Sequence, residues 1–575
     1  MASSVLRVFA VAVSFALTLA SDVSFAAPSS FVAILSDDDV ATYKKMFAAA
    51  AAGKKDEVAA LAGQLKNRSL MGHVAARGYL SPDTVAEFDD LKAWLKKYDD
   101  YPEASRIYAL AVRKNPKRAG ELEDPDRRII RGNSDDADFV APDFSSLEAE
   151  AAAKKLKALI GSGNLKAASA YLAGTELRGK LSRADYGRLA HQVAAGQYYL
   201  GDSRTAFALA DPVAADVRGE VPEADWIAGL AAFRLERYDV AAKHFAAMAE
   251  NPATTSWLKS AAAFWAARSY LIAKQPENVS RMLDIAASKP RTFYGLIALR
   301  LLGREPPFSW NEPKLDKAGF QRLSKVSGVA RGVALYQVGE MEAAEGAIAR
   351  SHGRLNKELD RPFIALAHEM GFAHVQLQAA HAANDPDLKA AAYPVMRYKP
   401  SDGWQVDPAL IHAIVRQESK FEMRVTSSSD ARGLMQVLPS TAAGTMKDTT
   451  LDNPGTKAKL FDPSFNLSVG QRYVQKMYSF VEPDGNLFQL VVSYNGGPGN
   501  LQKWLKEVEH RGDPLLFIES IPSRETRGYV ERVVANYWIY QDRLGEAKTT
   551  LDQVARGEWP VIIWSDRPRV AQLAR

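Results

Sequence analysis

The chain has 575 residues, of which 47% are hydrophobic and 25% charged, with a formal net charge of +5 and no cysteine. That length exceeds what one hydrophobic core supports and calls for more than one domain. The lack of cysteine excludes disulfides, thiolate metal sites, a cysteine nucleophile and a lipid-modified cysteine, and the small charge, without a basic stripe interleaved with aromatics, gives no case for nucleic acid.

Residues 1–26 read as a secretory leader. Arg7 precedes the apolar run "VFAVAVSFALTLA", which is too short for a comfortable membrane span, and "SFA" before Ala27 is a small-residue cleavage site. The mature protein is therefore expected to be exported, with no integral membrane segment. From about residue 37 to 395 alanine, leucine, tyrosine and charged residues recur at helical spacing, without strand-type alternation. A helix, a tight polar turn and a second alanine-rich helix repeat in "GSGNLKAASAYL", "QYYLGDSRTAFALA", "AAFRLERYDVAAKHFAAM" and "ALYQVGEMEAAEGAIA". Small residues such as Ala206, Ala241, Ala242 and Ala343 let helices approach, and Tyr199, Trp226, Phe233, Phe245, Trp265 and Tyr270 fill the space between them as core. This is the pattern of a helical-hairpin solenoid of tetratricopeptide-like character, in which each pair buries its face on its neighbours.

Residues 119–144 are charged and proline-bearing and read as an irregular connection, with "DDADF" at 135–139 a solvated loop. "REPPFSW" (304–310) breaks the helices again, and "YPVMRYKPSDGWQVDP" (393–408) marks a boundary. Beyond it short helices alternate with Gly, Ser, Asn and Pro loops to about residue 547.

The chemistry gathers in this last region. Asp407 and Pro408 form a helix start, and Leu410, Ile411, Ile414, Val415 and Phe421 fall on one stripe. Glu418 lies on the same stripe, while Arg416 and Lys420 should point away from it. A glutamate aimed at apolar neighbours, away from cations, has its pKa raised and can act as a general acid near neutral pH. Three turns follow: "SSSDARGLMQVLPSTA" (427–442), "VVSYNGGPGN" (491–500) and "ESIPSRETRGYVERVVANYW" (519–538). Their amides, hydroxyls and rings, from Ser427, Gln436, Tyr494 and Asn495, suit a sugar chain bearing N-acetyl groups. The nine histidines show no ligand spacing, so neither a metal nor another cofactor is expected.

In this order, "QES", "GLMQ", "YNGGPG" and "ETRGYV" resemble the soluble lytic murein transglycosylases, of the goose-type lysozyme-like group, over roughly residues 393–545. "TFYGLIALRLLG" (292–303) is similar to that family's linker segment. The resemblance implies a mainly all-α chain: leader 1–26, an N-terminal helical superhelix ring over 27–290, a helical linker over 291–395, a lysozyme-like α(+β) catalytic domain over 396–548 and a tail over 549–575. It implies Glu418 as the sole catalytic acid/base. Ser427, Gln436, Tyr494 and Glu525 would line the substrate cleft, with Met435, Asn495 and Tyr529 supporting it. The implied partner is the peptidoglycan glycan strand, guided by the superhelix, and the implied compartment is the periplasm. The implied reaction cleaves the β-1,4 bond between N-acetylmuramic acid and N-acetylglucosamine and leaves a 1,6-anhydromuramoyl end. A hydrolytic muramidase and a non-catalytic wall-binding scaffold are the alternatives. Two departures stand out. Ser493 replaces the family's usual alanine, and Glu422, one turn after Glu418, is expected at the solvated helix end.

Overall fold

The computed structural model describes residues 33–82, 84–125, 143–481 and 485–563. The leader over 1–26 and the "DDADF" loop lie outside them. Described residues up to 125, together with 315–347, form one compact unit, and those over 143–314 and 348–563 form a second. Of the stretch 291–395, residues 315–347 thus fall in the first unit and the remainder in the second.

The first unit opens with a helix over Asp37–Ala51, capped by the Ser36 side chain. Three aspartates fill its first turn, where the exposed backbone N–H groups favour negative charge. Asp39 is buried because its carboxylate accepts from the backbone N–H groups of Lys66 and Asn67, at 2.9 and 3.2 Å. Gln337 closes the unit in the same way, its Oε1 accepting from the N–H groups of Ile34 and Leu35.

The second unit begins as an array of antiparallel helices. Those over Arg183–Tyr199, Ser203–Val217, Glu223–Arg234, Tyr238–Glu250 and Ser256–Ile272 each pack on the next. All four quoted repeats bracket helix–turn–helix pairs, and each turn carries one left-handed residue: Gly163, Gly201, Glu236 and Gly339. Trp226, Phe233, Trp265 and Tyr270 are buried as expected. Phe233 meets Trp265 edge-on at 5.0 Å, and Trp226 meets Phe245 at 5.3 Å. Gly229 permits this closeness, since a Cβ there would stand 2.6 Å from the Phe245 ring. Of the small residues, Ala206, Ala241 and Ala242 are buried, but at the last repeat the buried position is Ala344, with Ala343 half-buried.

The array continues into α1 (Phe293–Leu301), and the C-terminal part of the unit is built on it. That part comprises α2 (Pro408–Ser419), α3 (Pro463–Tyr478), α4 (Leu487–Gly496), α5 (Pro514–Ser520), α6 (Arg524–Arg543) and α7 (Thr549–Ala555). Phe293 of α1 stacks on Trp538 of α6 at 5.2 Å and touches Phe488 of α4. Burying one such ring is worth about 2–3 kcal/mol. Tyr294 accepts from Trp265 Nε1 and donates to the buried Glu519 carboxyl, which burial pushes up to about 7. Tyr198 meets Ser520 at 3.1 Å. The seam is thus an aromatic wall with a few fully enclosed polar pairs. Residues 549–563 join this packing. Trp538 Nε1 donates to Thr550, and Ile562 N–H donates to Gly485 O. Among the described residues β structure is limited to isolated bridges, two of them, Thr426 with Arg432 and Arg432 with Val437, in the loop beside Glu418.

Candidate active site

Helix α2 starts as its sequence requires. Asp407 caps it by accepting from Ala409 N–H, and its other oxygen accepts from Tyr537 at 2.6 Å. The helix ends abruptly one residue after Glu418–Ser419's turn, because Lys420 and Phe421 both take left-handed conformations, φ 50° and 66°. For residues with a Cβ this costs roughly 1–2 kcal/mol each, and here the buried Phe421 ring holds the turn in place. Glu422 follows in solvent, as expected. Arg416 points away from Glu418, as its spacing implies. It is buried, with Nη1 on Ala392 O and its guanidinium 4.2 Å from the Tyr393 ring centre. Two residues from Glu418 on a helix, it serves the opposite face.

Glu418 keeps intermediate exposure. Its Oε1 accepts from Tyr529 Oη at 2.6 Å, and its Oε2 has no hydrogen-bond partner among the described residues. Burial raises the carboxyl to about 7, against the lowering effect of the Tyr529 hydrogen bond and with a smaller raising effect from the Glu525 charge. Desolvation therefore dominates, and no cation offsets it. Tyr529 and Glu525 sit one turn apart on α6, which packs along α2. Glu525 is exposed in the first turn and makes no hydrogen bond to Glu418.

The three loops do converge. The Tyr494 ring of α4 lies parallel to that of Tyr529 at 6.4 Å and meets Tyr473 of α3 at 5.3 Å. Tyr494 Oη donates to Met435 O at 2.9 Å, so the second loop is pinned to the first. Met435 is fully buried and structural. Asn466 organises the segment before it, accepting from Met435 N–H and donating to Arg432 O and Leu460 O. Gly433, at φ 73°, has no room for a side chain, since a Cβ would lie 2.2 Å from Leu460 O. Gln436, also left-handed at φ 46°, turns its amide inward to donate to Gly433 O and Val425 O. Only its carbonyl oxygen is left for a ligand. Ser427 Oγ accepts from Ser429 and Ala431 N–H groups and keeps a free proton. Asn495 Oδ1 accepts from Thr526 Oγ1 at 2.8 Å, tying α4 to the first turn of α6 and leaving its amide N–H groups open. Tyr473, Asn466 and Thr526 were not singled out from sequence. Each has helical spacing typical of core or cap, and their partners lie about 20 to 30 residues away.

Ser493 is fully buried and its hydroxyl has no hydrogen-bond partner among the described residues. An orphaned buried hydroxyl costs about 1–3 kcal/mol. Ser493→Ala is therefore expected to stabilise the protein by about 1 kcal/mol in urea unfolding, with unchanged slope. A loss of stability would mean that the hydroxyl has a partner.

Known proteins resemble the chain over this region. Residues 397–517 match the family model "Transglycosylase SLT domain". Residues 397–517 are thus similar to that domain family. The SLT match includes Glu418, Ser427, Met435, Gln436, Tyr494 and Asn495, while Glu525 and Tyr529 lie beyond it. The soluble lytic murein transglycosylase of Escherichia coli (strain K12) is 35% identical over 159 residues, 28% of this chain and 24% of that one. The protein of the same description from Salmonella typhimurium (strain LT2) is 28% identical over 286 residues, 48% of this chain and 42% of that one. The aligned chain thus spans less than half the length of these curated relatives. In three dimensions the likeness extends further. The lytic transglycosylase Slt of Pseudomonas aeruginosa aligns over 92% of this chain and 98% of its own, with a TM-score of 0.56 at 19% identity. The 70 kDa soluble lytic transglycosylase of E. coli aligns over 92% and 100%, with a TM-score of 0.54 at 18% identity. The expected fold class, a helical array followed by a lysozyme-like domain, is the observed one.

Proposed function

We propose that the chain is a lytic transglycosylase of peptidoglycan, cleaving the β-1,4 bond between N-acetylmuramic acid and N-acetylglucosamine. The observation that carries this reading is the Glu418 carboxyl: desolvated, oriented through one oxygen by Tyr529, and open at the other. Protonated Glu418 donates to the glycosidic oxygen as the bond breaks. Ordinary glycosidases place a second carboxylate opposite the first. Here Glu422 is in solvent beyond the helix end and Glu525 is exposed on α6, so the substrate completes the reaction. The N-acetyl carbonyl stabilises positive charge at C1, and the open amide of Asn495 is the donor we assign to orient it. Glu418, now a carboxylate, takes the proton of the C6 hydroxyl as that oxygen closes on C1. The attacking hydroxyl belongs to the same ring, so its effective concentration exceeds that of water. The product is a 1,6-anhydromuramoyl end.

Glycan strands are the proposed partner, and the periplasm is the compartment where such a substrate lies. Among the described residues no helix is long and apolar enough to cross a membrane. Purified peptidoglycan incubated with the protein should lose turbidity and release soluble muropeptides. Sedimentation of protein with the wall, without release of fragments, would favour the scaffold alternative instead.

A further inference from the structure

A cavity of about 440 Å³ opens in the second unit, among the turn before α1, the 307–313 segment and the 3-10 helix Pro386–Ala392. None of the Glu418 cleft residues lines it. Its central feature is Arg291, one residue after Pro290. The guanidinium lies 5.1 Å from the Phe308 ring centre and 6.0 Å from that of Tyr393. Its Nε atom is buried and donates to nothing, and the side chain makes no ion pair or hydrogen bond among the described residues. A guanidinium held against two rings with an unanswered charge is a strong partner for an anion.

The rest of the lining has the same bias. Lys389 adds an exposed ammonium with no ion pair among the described residues. Arg361 is held only by the exposed Asp387, at 3.6 Å. The remaining acid, Glu312, is already engaged by Arg543 and by Gln376 at 3.2 Å. Ser309 and Asn311 supply a hydroxyl and an amide. The volume is that of a small-molecule or short-peptide pocket and is generous for an inorganic anion alone.

We propose that this cavity is an accessory site for an acidic peptide, with Arg291 and Lys389 taking its carboxylate. Peptides attached to the glycan strands of the proposed substrate have this chemistry, and that source rests on the functional reading above. The test is calorimetric titration of the full-length protein with free stem peptides, released from peptidoglycan by an amidase, and separately with inorganic phosphate. Stem peptides are expected to bind. Arg291→Gln should weaken them about tenfold or more, as loss of a charge-assisted hydrogen bond does, and Lys389→Gln by a smaller factor. Both variants should keep the wild-type melting temperature. Equal peptide affinity in wild type and Arg291→Gln would overturn the site. Arg291-dependent binding of phosphate, with no binding of stem peptide, would overturn the peptide assignment. Binding is read without cleavage, so Arg291-dependent peptide binding by a protein that leaves the wall uncut would retain the site and reject the functional reading.

Discussion

Replacing Glu418 by glutamine is expected to reduce release of soluble fragments from peptidoglycan by at least about 10²–10⁴-fold, the usual scale of a lost proton transfer. The loss falls on turnover more than on binding. Glutamine has nearly the same shape, and its carbonyl oxygen accepts the Tyr529 O–H as Glu418 Oε1 does. It cannot donate to a leaving oxygen with a carboxylic acid's strength, nor take a proton back from the C6 hydroxyl. No neighbour substitutes for it, because Glu422 lies in solvent past the left-handed turn and Glu525 makes no hydrogen bond to residue 418. Initial rates of muropeptide release, with sedimentation binding as a parallel readout, check both parts. A folded Glu418→Gln protein with near wild-type release would remove the catalytic assignment.

The same variant should be more stable than the wild type, and the gap should depend on pH. The Glu418 carboxyl is raised from 4.5 to about 7 in the folded protein. Below about pH 4.5 it is neutral in both folded and unfolded chains and adds no penalty. Between about 4.5 and 7 the unfolded chain ionises first, so wild-type stability falls as pH rises. Above about 7 the penalty is complete. At about 1.4 kcal/mol per unit its ceiling is roughly 3.5 kcal/mol, and the partial exposure of the side chain lowers it to about 1–2 kcal/mol. Thermal unfolding at pH 5 and pH 8 reads this directly. Glu418→Gln should melt near the wild type at pH 5 and above it at pH 8. An equal gap at both values would show that the carboxyl is not desolvated in the folded state.

Local chemistry was legible in the sequence and long-range partners were not. Asp407 and Pro408 announced the start of α2, and the apolar stripe placed Glu418 on the core-facing side, because both signals lie within a few turns of one helix. The four turn motifs announced four helical pairs for the same reason. Gln436 shows the opposite case. As a polar residue in a loop it read as a ligand for N-acetyl groups, but nothing local showed that its amide N–H groups go to Gly433 O and Val425 O, leaving the carbonyl oxygen, in a loop that Asn466, 30 residues on, helps to order. Arg416 points away from Glu418 as its spacing implies, but its burial on the Ala392 carbonyl depends on a partner 24 residues earlier. Glu519 stood unremarked in a motif, although its hydroxyl partner is Tyr294, 225 residues earlier. The stretch after 548 looked like a tail because nothing local shows that Thr550 answers the indole of Trp538.

The central claim is that one carboxyl and the substrate's own C6 hydroxyl complete the reaction. Digestion of purified peptidoglycan in heavy-oxygen water, followed by mass spectrometry of the released muropeptides, tests it most directly. The geometry around Glu418 predicts muramic acid ends lighter than the hydrolysed form by one water and free of the heavy isotope. Reducing ends carrying one heavy oxygen would contradict it, and would require a water held by a second base, with Glu525 on the first turn of α6 the residue to replace next.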